Sequence, residues 1–247
     1  MFARPTSSGD DAPAYFFLDE TGFDERSKHA AVTCIVLENP TPIRRSIKSL
    51  QDVLLRDPCL KAHRQAMRRL SEKGFHHTDD HFDVRARFMD LISGMPFQAY
   101  VCFVEKAAPF DARAWHDRLL GRLLFERLRA NRRRRIEICF EQTDTRHARR
   151  LREVQAIVSA CMGAISHDRG GAPFEPGLRC AGKEEPCLSI ADYVGAIVRT
   201  YLDERHDPTK TSSTVQLYRL QPKLRVIHDY GRDTFFTRHN PLVPRIA

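Results

Sequence analysis

Four places along this chain put carboxylates where apolar surroundings make them costly. Asp19 and Glu20 follow directly on the apolar run Ala14–Leu18 (AYFFL), and Asp79 and Asp80 lie behind His76 and His77 and ahead of His81. Glu141 closes the apolar run Ile136–Phe140 (IEICF), and Asp192 sits inside the apolar stretch Leu188–Leu202 (LSIADYVGAIVRTYL). A carboxylate in an apolar setting resists ionisation, and several brought together repel one another. They coexist when a cation lies between them, and all-oxygen donor sets suit Mg²⁺ or Mn²⁺. Two such ions can clamp the attacking and leaving oxygens of an in-line phosphoryl displacement.

Each position also has a plainer role open to it. Asp19 can cap a turn together with Gly22. Asp79 can N-cap a helix, with Asp80 near the positive end of its dipole. Glu141 can simply end a strand, and Asp192 can pair with Arg199. The stretch His76–His81 has the residue types of a transition-metal site, but close neighbours on one chain rarely all reach one ion. His76 is kept as a site residue, while His77 and His81 read as surface residues. Asn131–Arg135 (NRRRR) reads either as a solvated helix end or as a phosphate-contacting patch. Phosphate-loop, dinucleotide-turn, nucleophile-elbow and zinc-protease motifs are missing from the sequence.

Positioning these residues requires strands that end at the acids. Ala14–Leu18 and Ala30–Leu37 are apolar and bounded by polar residues, so they predict two strands joined as a hairpin across Asp19–His29. Helical spacing predicts a helix over Ile43–Leu55, and the basic stretch Lys61–Ser71 suits another. A helix over Asp79–Ser93 stops at Gly94 and Pro96. Phe97–Val104 is a predicted strand, and a long helix opens at Pro109 or Asp111 and runs to about Ala130. Then come a strand Ile136–Phe140, a helix Thr145–Ile165, a loop over Gly170–Pro176 and an apolar helix Leu188–Leu202. Leu217–Ile227 is ambiguous, and the tail from Arg232 reads as irregular. A hairpin followed by alternating helices and strands predicts an α/β protein with a mixed sheet covered by helices.

The chain has 247 residues, with 40 Lys+Arg against 32 Asp+Glu for a formal net charge of +8. That length accommodates a hydrophobic core without disulfide or metal staples. No apolar run approaches the roughly 20 residues of a membrane span, and the first residues lack the pattern of a signal peptide. The seven cysteines contain no CxxC pair, which points to a reducing cytoplasm without a disulfide framework. The positive balance hints at a polyanionic partner. Residues 1–13, rich in Pro, Ser, Gly and Asp, read as a loose tail, and 14–247 as one domain with helical insertions.

The anchors fall in an order that resembles a known family. Tyr15–Gly22 (YFFLDETG) resembles the opening motif of the bacterial and phage family called domain of unknown function 3800, an apolar strand followed by D-E-[ST]-G. Gly74-Phe75-His76 with Asp79-Asp80 and Val84-Arg85 resembles its second block. Val101–Lys106 (VCFVEK) looks like its following strand, which ends in Lys, and Ile138–Glu141 (ICFE) its later strand, which ends in an acid. Leu188–Tyr193 (LSIADY) resembles its closing helix signature, and Asn240-Pro241-Leu242 is similar as well.

The resemblance implies a ribonuclease H-like fold: a mixed sheet opened by antiparallel strands, with acids on the first strand, a helix, a later strand and the last helix. It makes Asp19 the first-strand acid, Glu141 the later-strand acid and Asp192 the closing-helix acid, with Asp80 chosen over Asp79 for the remaining position. Many such folds carry Asp where Glu141 stands, one methylene shorter. Asp19, Asp80, Glu141 and Asp192 are then the expected ligands of Mg²⁺ or Mn²⁺. Glu20 is their motif neighbour, expected on the opposite side of the strand. Lys106 or His76 would contact the scissile phosphate or relay a proton. The expected function is a cytoplasmic, metal-dependent nuclease acting on DNA or RNA. The alternative is a non-catalytic nucleic-acid-binding or protein-interaction module on the same fold; hydrolysis of a small phosphate compound is a third reading.

Overall fold

The computed structural model describes residues 13–131, 135–141, 147–169, 175–182, 184–207 and 209–243. The expected tail apart from Pro13, most of the NRRRR run and the glycines of the 170–176 loop therefore lie outside the described residues. The chain runs β1 (Ala14–Thr21), β2 (His29–Leu37), α1 (Pro40–Arg56), α2 (Pro58–Lys61), α3 (Arg64–Lys73), α4 (Phe82–Gly94) and β3 (Gln98–Glu105). It continues through α5 (Ala112–Ala130), β4 (Ile136–Glu141), α6 (His147–Arg169), β5 (Gly177–Ala181) and α7 (Leu188–Glu204). α8 (Ser212–Leu220), β6 (Leu224–Asp229) and β7 (Thr234–Phe236) complete it.

The strands form one sheet in the order β5-β4-β1-β2-β3-β6-β7. β2 pairs antiparallel with both β1 and β3, whereas β4 runs parallel to β1, β5 to β4 and β6 to β3. An antiparallel meander opens the mixed sheet, as the resemblance implied, and two parallel strands are added beside its first member; β6 and β7 extend it on the far side. The mixed α/β sheet with flanking helices is what the structure has.

Alternation along β1 sends successive side chains to opposite faces. Phe17 joins the core formed with α1, α4 and α7, whereas Phe16 and Leu18 join the one formed with α5 and α6. Two glycines let these layers close. Gly22 turns the β1–β2 hairpin at φ +77°, where a Cβ would stand 2.1 Å from the carbonyl oxygen of His29. Gly195 lets α7 press onto β2, because a Cβ there would come within 2.7 Å of the Thr33 hydroxyl.

Several boundaries differ from expectation. β1 continues past Leu18 to Thr21, so Asp19 and Glu20 are strand residues rather than turn residues. α4 begins at Phe82 with His81 as its N-cap, the ring Nδ1 accepting from the Asp83 N–H at 3.4 Å. Asp79 is therefore not the cap. It and Asp80 sit in a preceding turn, with their N–H groups donating to the His76 carbonyl at 3.1 and 2.9 Å. Residues 177–181, for which no element was expected, form an edge strand. The ambiguous 217–227 stretch resolves into the end of α8 and most of β6, and the tail contains β7.

Candidate active site

β1 and β4 run side by side in parallel, with Leu18 opposite Phe140. The next residue on each strand is an acid, so Asp19 and Glu141 stand together at the carboxyl edge of the sheet. That edge is where α/β sheets bind ligands. α7 lies over β1 and β2 and brings Asp192 down onto the same place. Asp19, Glu141 and Asp192 line one small cavity, together with Lys73, Phe75, His76, Glu185, Leu188 and Ser189.

The electrostatics record this convergence. Burial, then the charges of Asp192 and Glu141, hold the Asp19 carboxyl well above the ordinary carboxylate range, against one opposing hydrogen bond from the Glu20 N–H at 2.8 Å. Like charges that cannot all ionise together show this behaviour.

The turn between α3 and α4 is stitched to two acids by consecutive backbone groups. The His76 N–H donates to Asp80 Oδ2 at 2.9 Å, and the His77 N–H donates to Asp192 Oδ2 at 2.6 Å. His76 Nε2 stands 3.5 Å from Asp192 Oδ1. Asp80 is buried behind the cavity rather than in its wall, and the Tyr193 hydroxyl donates to it. Burial pushes its carboxyl up to about 6, against the Tyr193 and His76 donors and with help from the Asp192 charge. Asp79, by contrast, is half-buried and faces Arg69 and Lys73 at 3.4 and 3.9 Å. Asp79 also stands 4.0 Å from His76 Nδ1, so both acids meet the turn that carries His76, Asp80 at its backbone N–H and Asp79 at its ring.

Two histidines depart from expectation. His77 is not a surface residue: its ring is buried, edge-on to Tyr193 at 5.2 Å. Burial, then the charges of Arg85 and Arg199, push it down to about 4. His81 is half-buried and stacks on His63 with ring centroids 4.1 Å apart.

Glu20 points to the opposite face, as expected of the strand neighbour of Asp19. Its carboxylate takes His116 Nε2 at 3.0 Å and the Arg150 guanidinium. Burial raises this group, but His116 and Arg150 outweigh it and hold the carboxyl below its ordinary value. Lys106 is not brought to the cavity. Its ammonium donates to the carbonyls of Gly22, at 2.9 Å, and Asp24, tying down the hairpin loop.

Among the described residues Lys73 lines the cavity; sequence reasoning passed over it because it follows the basic stretch Lys61–Ser71 and reads as one more solvated charge. Tyr193 was missed as well, although it directly follows Asp192; an aromatic residue in an apolar helix reads as core, which its ring is. Arg199 is placed against Asp203 at 3.1 Å.

Among the described residues, no three His, Cys, Asp or Glu side chains are gathered closely enough to hold a metal ion as they stand. In kind the donors fit Mg²⁺ or Mn²⁺: of the four carboxylates on the cavity, Glu185 is taken up by Arg44 and Arg179, and Asp19, Glu141 and Asp192 form a hard oxygen set that a divalent cation would relieve. What they lack is a closed coordination shell.

Fold and cavity together define an α/β protein of ribonuclease H-like strand order with an acidic carboxyl edge. No family model matches the chain, and no curated protein matches it. Among solved structures, a chain in the PCNA:RNase HII complex from Archaeoglobus fulgidus is similar over 84% of this chain and 86% of that one. Identity there is 11% and the TM-score 0.47. A likeness of that size carries no functional weight, and the fold assignment rests on strand order and register.

Proposed function

We propose that this protein is a metal-dependent nuclease acting on DNA or RNA, with Asp19, Glu141 and Asp192 as ligands of Mg²⁺ or Mn²⁺ and Asp80 as the supporting acid. One observation carries this reading: acids from β1, β4 and α7 line a single cavity, and two of them drive up the third. The order of those acids along the chain agrees with the resemblance to the domain of unknown function 3800 family. The net charge of +8 suits a polyanionic substrate.

A bound divalent ion would supply Lewis acidity and a water acidified enough to attack phosphorus. The residues of this chain would do the rest. Asp19 would serve as a ligand in its ionised form, the form that burial and its acidic neighbours disfavour without a cation. His76, whose Nε2 lies 3.5 Å from Asp192 Oδ1, would pass a proton at the cavity wall. Lys73 would face the phosphate with positive charge. The chain from residue 14 onward is read as one domain, with α1–α4 inserted between β2 and β3. The setting is read as cytoplasmic. All seven cysteines are free, and no helix among the described residues is long and apolar enough to cross a membrane.

The test is a thermal melt in EDTA and in millimolar Mn²⁺, followed by cleavage assays on single- and double-stranded DNA and RNA. Binding at one hundred times Kd would stabilise the fold by about 2.7 kcal/mol. Mn²⁺ should raise Tm, and Asp19→Asn should remove both the shift and the cleavage. Absence of both in the wild type would sink the reading. The alternative, a non-catalytic module on the same fold, predicts no Mn²⁺-dependent shift.

A further inference from the structure

On the same face of the sheet as the carboxylate cavity lies a second, larger one of about 500 Å³, over β1, β4 and β5. That is the size of a small-ligand pocket. Tyr15, Phe17 and Cys139 give it an apolar floor, and Arg44, Arg135 and Arg179 give it a charged wall. Glu185 lines both cavities, so the two adjoin.

The arrangement around Glu185 exceeds what a structural ion pair needs. This buried carboxylate takes Arg44 Nε and Nη2, each at 2.9 Å, Arg179 Nη2 at 2.7 Å and the Cys187 N–H at 3.2 Å. One guanidinium would neutralise it; two leave a surplus positive charge facing an open cavity. Both forks are held in place by the shared anion, and Arg44 is further seated over the Phe17 ring at 5.8 Å. Among the described residues, Arg179 commits one nitrogen to Glu185. Its side chain is half exposed, and its other N–H groups are available to a ligand. At the rim, Arg135 pairs with Glu137 at 2.9 Å and is 77% exposed. Fixed guanidinium forks with donors to spare match phosphate oxygens in charge and geometry, and their ordering entropy is already met.

We propose that this trough binds the phosphodiester backbone of a nucleic-acid strand, with Arg44 and Arg179 as its phosphate contacts, Arg135 at its entrance and Tyr15 in its apolar floor. That the ligand is a strand leading into the carboxylate cavity rests on the nuclease reading. That the trough holds phosphate rests on the arginines alone. Glu185 is then a positioning residue, holding two arginines apart at the junction of the cavities.

The test measures fluorescence anisotropy of a labelled single-stranded DNA hexamer on the full chain in EDTA, so that cleavage plays no part. Inorganic phosphate and thymidine 5′-monophosphate serve as competitors. Arg44→Gln and Arg179→Gln should each weaken hexamer binding about tenfold, the loss of one charge-assisted contact. Each should also flatten the dependence of log Kd on log salt by about 0.7. Arg219→Gln, which removes a charge on α8 away from both cavities, should change neither quantity.

Arg135→Gln, at an exposed position, keeps the test decisive if Arg44→Gln fails to fold; it should show a smaller loss with a similar change in slope. Folded variants that bind like the wild type would overturn the proposal, as would a wild type that binds no hexamer. Displacement of the hexamer by equimolar monophosphate would overturn the strand and leave a free nucleotide as ligand. Arginine-dependent binding without Mn²⁺-dependent cleavage would sink the nuclease reading and leave the phosphate site standing. Cleavage with arginine-independent binding would sink the trough alone.

Discussion

Replacing Asp80 by Asn should make the apo protein more stable at neutral pH. Asp80 is 7% exposed, and burial raises its carboxyl from 3.8 to about 6 in the folded chain. Below pH 3.8 the group is protonated in both states, and above about 6 it is ionised in both. Between those values the folded chain keeps a proton that the unfolded chain has lost. The stability this group contributes is therefore complete at low pH and disappears as pH rises through about 6. At about 1.4 kcal/mol per pH unit, ionising Asp80 costs the folded state about 3 kcal/mol at pH 7. Asparagine keeps the shape, and its carbonyl oxygen can accept from the His76 N–H and the Tyr193 hydroxyl, the two donors that now reach Oδ2. It also presents no second negative charge to Asp192. Urea denaturation of wild type and Asp80→Asn from pH 3.5 to 8, in EDTA, gives the difference directly. The curves should converge near pH 3.5 and separate to about 3 kcal/mol by pH 7, or about 6–12 °C in Tm for a chain of this size. A variant less stable than wild type at pH 7, or a difference that does not change with pH, would refute the burial argument.

His77 should behave in the opposite sense. Its ring is pushed down to about 4 from 6.5, so its contribution is present above pH 6.5 and lost as pH falls through 4. NMR should find the ring neutral at pH 5.5, and a protonated ring there would contradict its burial. Gly22→Ala should cost about 3 kcal/mol or more, because it combines a left-handed backbone with a clash against the His29 carbonyl; a urea midpoint close to wild type would count against this. Glu20→Gln removes the charge that His116 and Arg150 share and should cost about 1–3 kcal/mol. It should leave the Mn²⁺-induced Tm shift in place, and loss of that shift would draw Glu20 into the metal site.

What the sequence made legible follows from how each element is buried. β1, β2 and β3 are shielded on both faces, so their apolar runs stand out, and α7 is apolar nearly all round. Those elements hold Asp19 and Asp192, which is why both could be singled out. β5 escaped notice because it is an edge strand, half-buried, with Gly177 and Arg179 interrupting any apolar pattern. Missing it also hid the arginine trough, whose residues come from α1, β5 and the chain before β4 and share no motif. Lys106 was misjudged for a related reason. A strand-end lysine can reach a cavity or a neighbouring loop, and only the path of the hairpin decides between them.

The acids of this protein divide by the kind of partner that holds them. Glu20 and Glu185 are held by guanidinium groups, and their carboxyls lie below the ordinary value despite burial. Asp203 likewise has an arginine partner, Arg199, together with His29. Asp19 and Asp80 take neutral donors instead: a backbone N–H for Asp19, and a backbone N–H and a phenol for Asp80. Both of their carboxyls are raised. The chain has ample arginine near the sheet's carboxyl edge, with Arg150 within reach of Glu20 one residue from Asp19. Arginine at Asp19 would relieve its burial but would also fill the position a metal ion needs. Neutral donors orient a carboxylate without discharging it, so the unrelieved repulsion around Asp19 remains available to a cation as binding energy. On this reasoning the site is destabilising in the apo fold because it is arranged for a charge that arrives from outside. The stabilisation expected of Asp80→Asn then measures chiefly the burial of one acid, and the Mn²⁺ shift expected of the wild type measures the burial and repulsion gathered around Asp19.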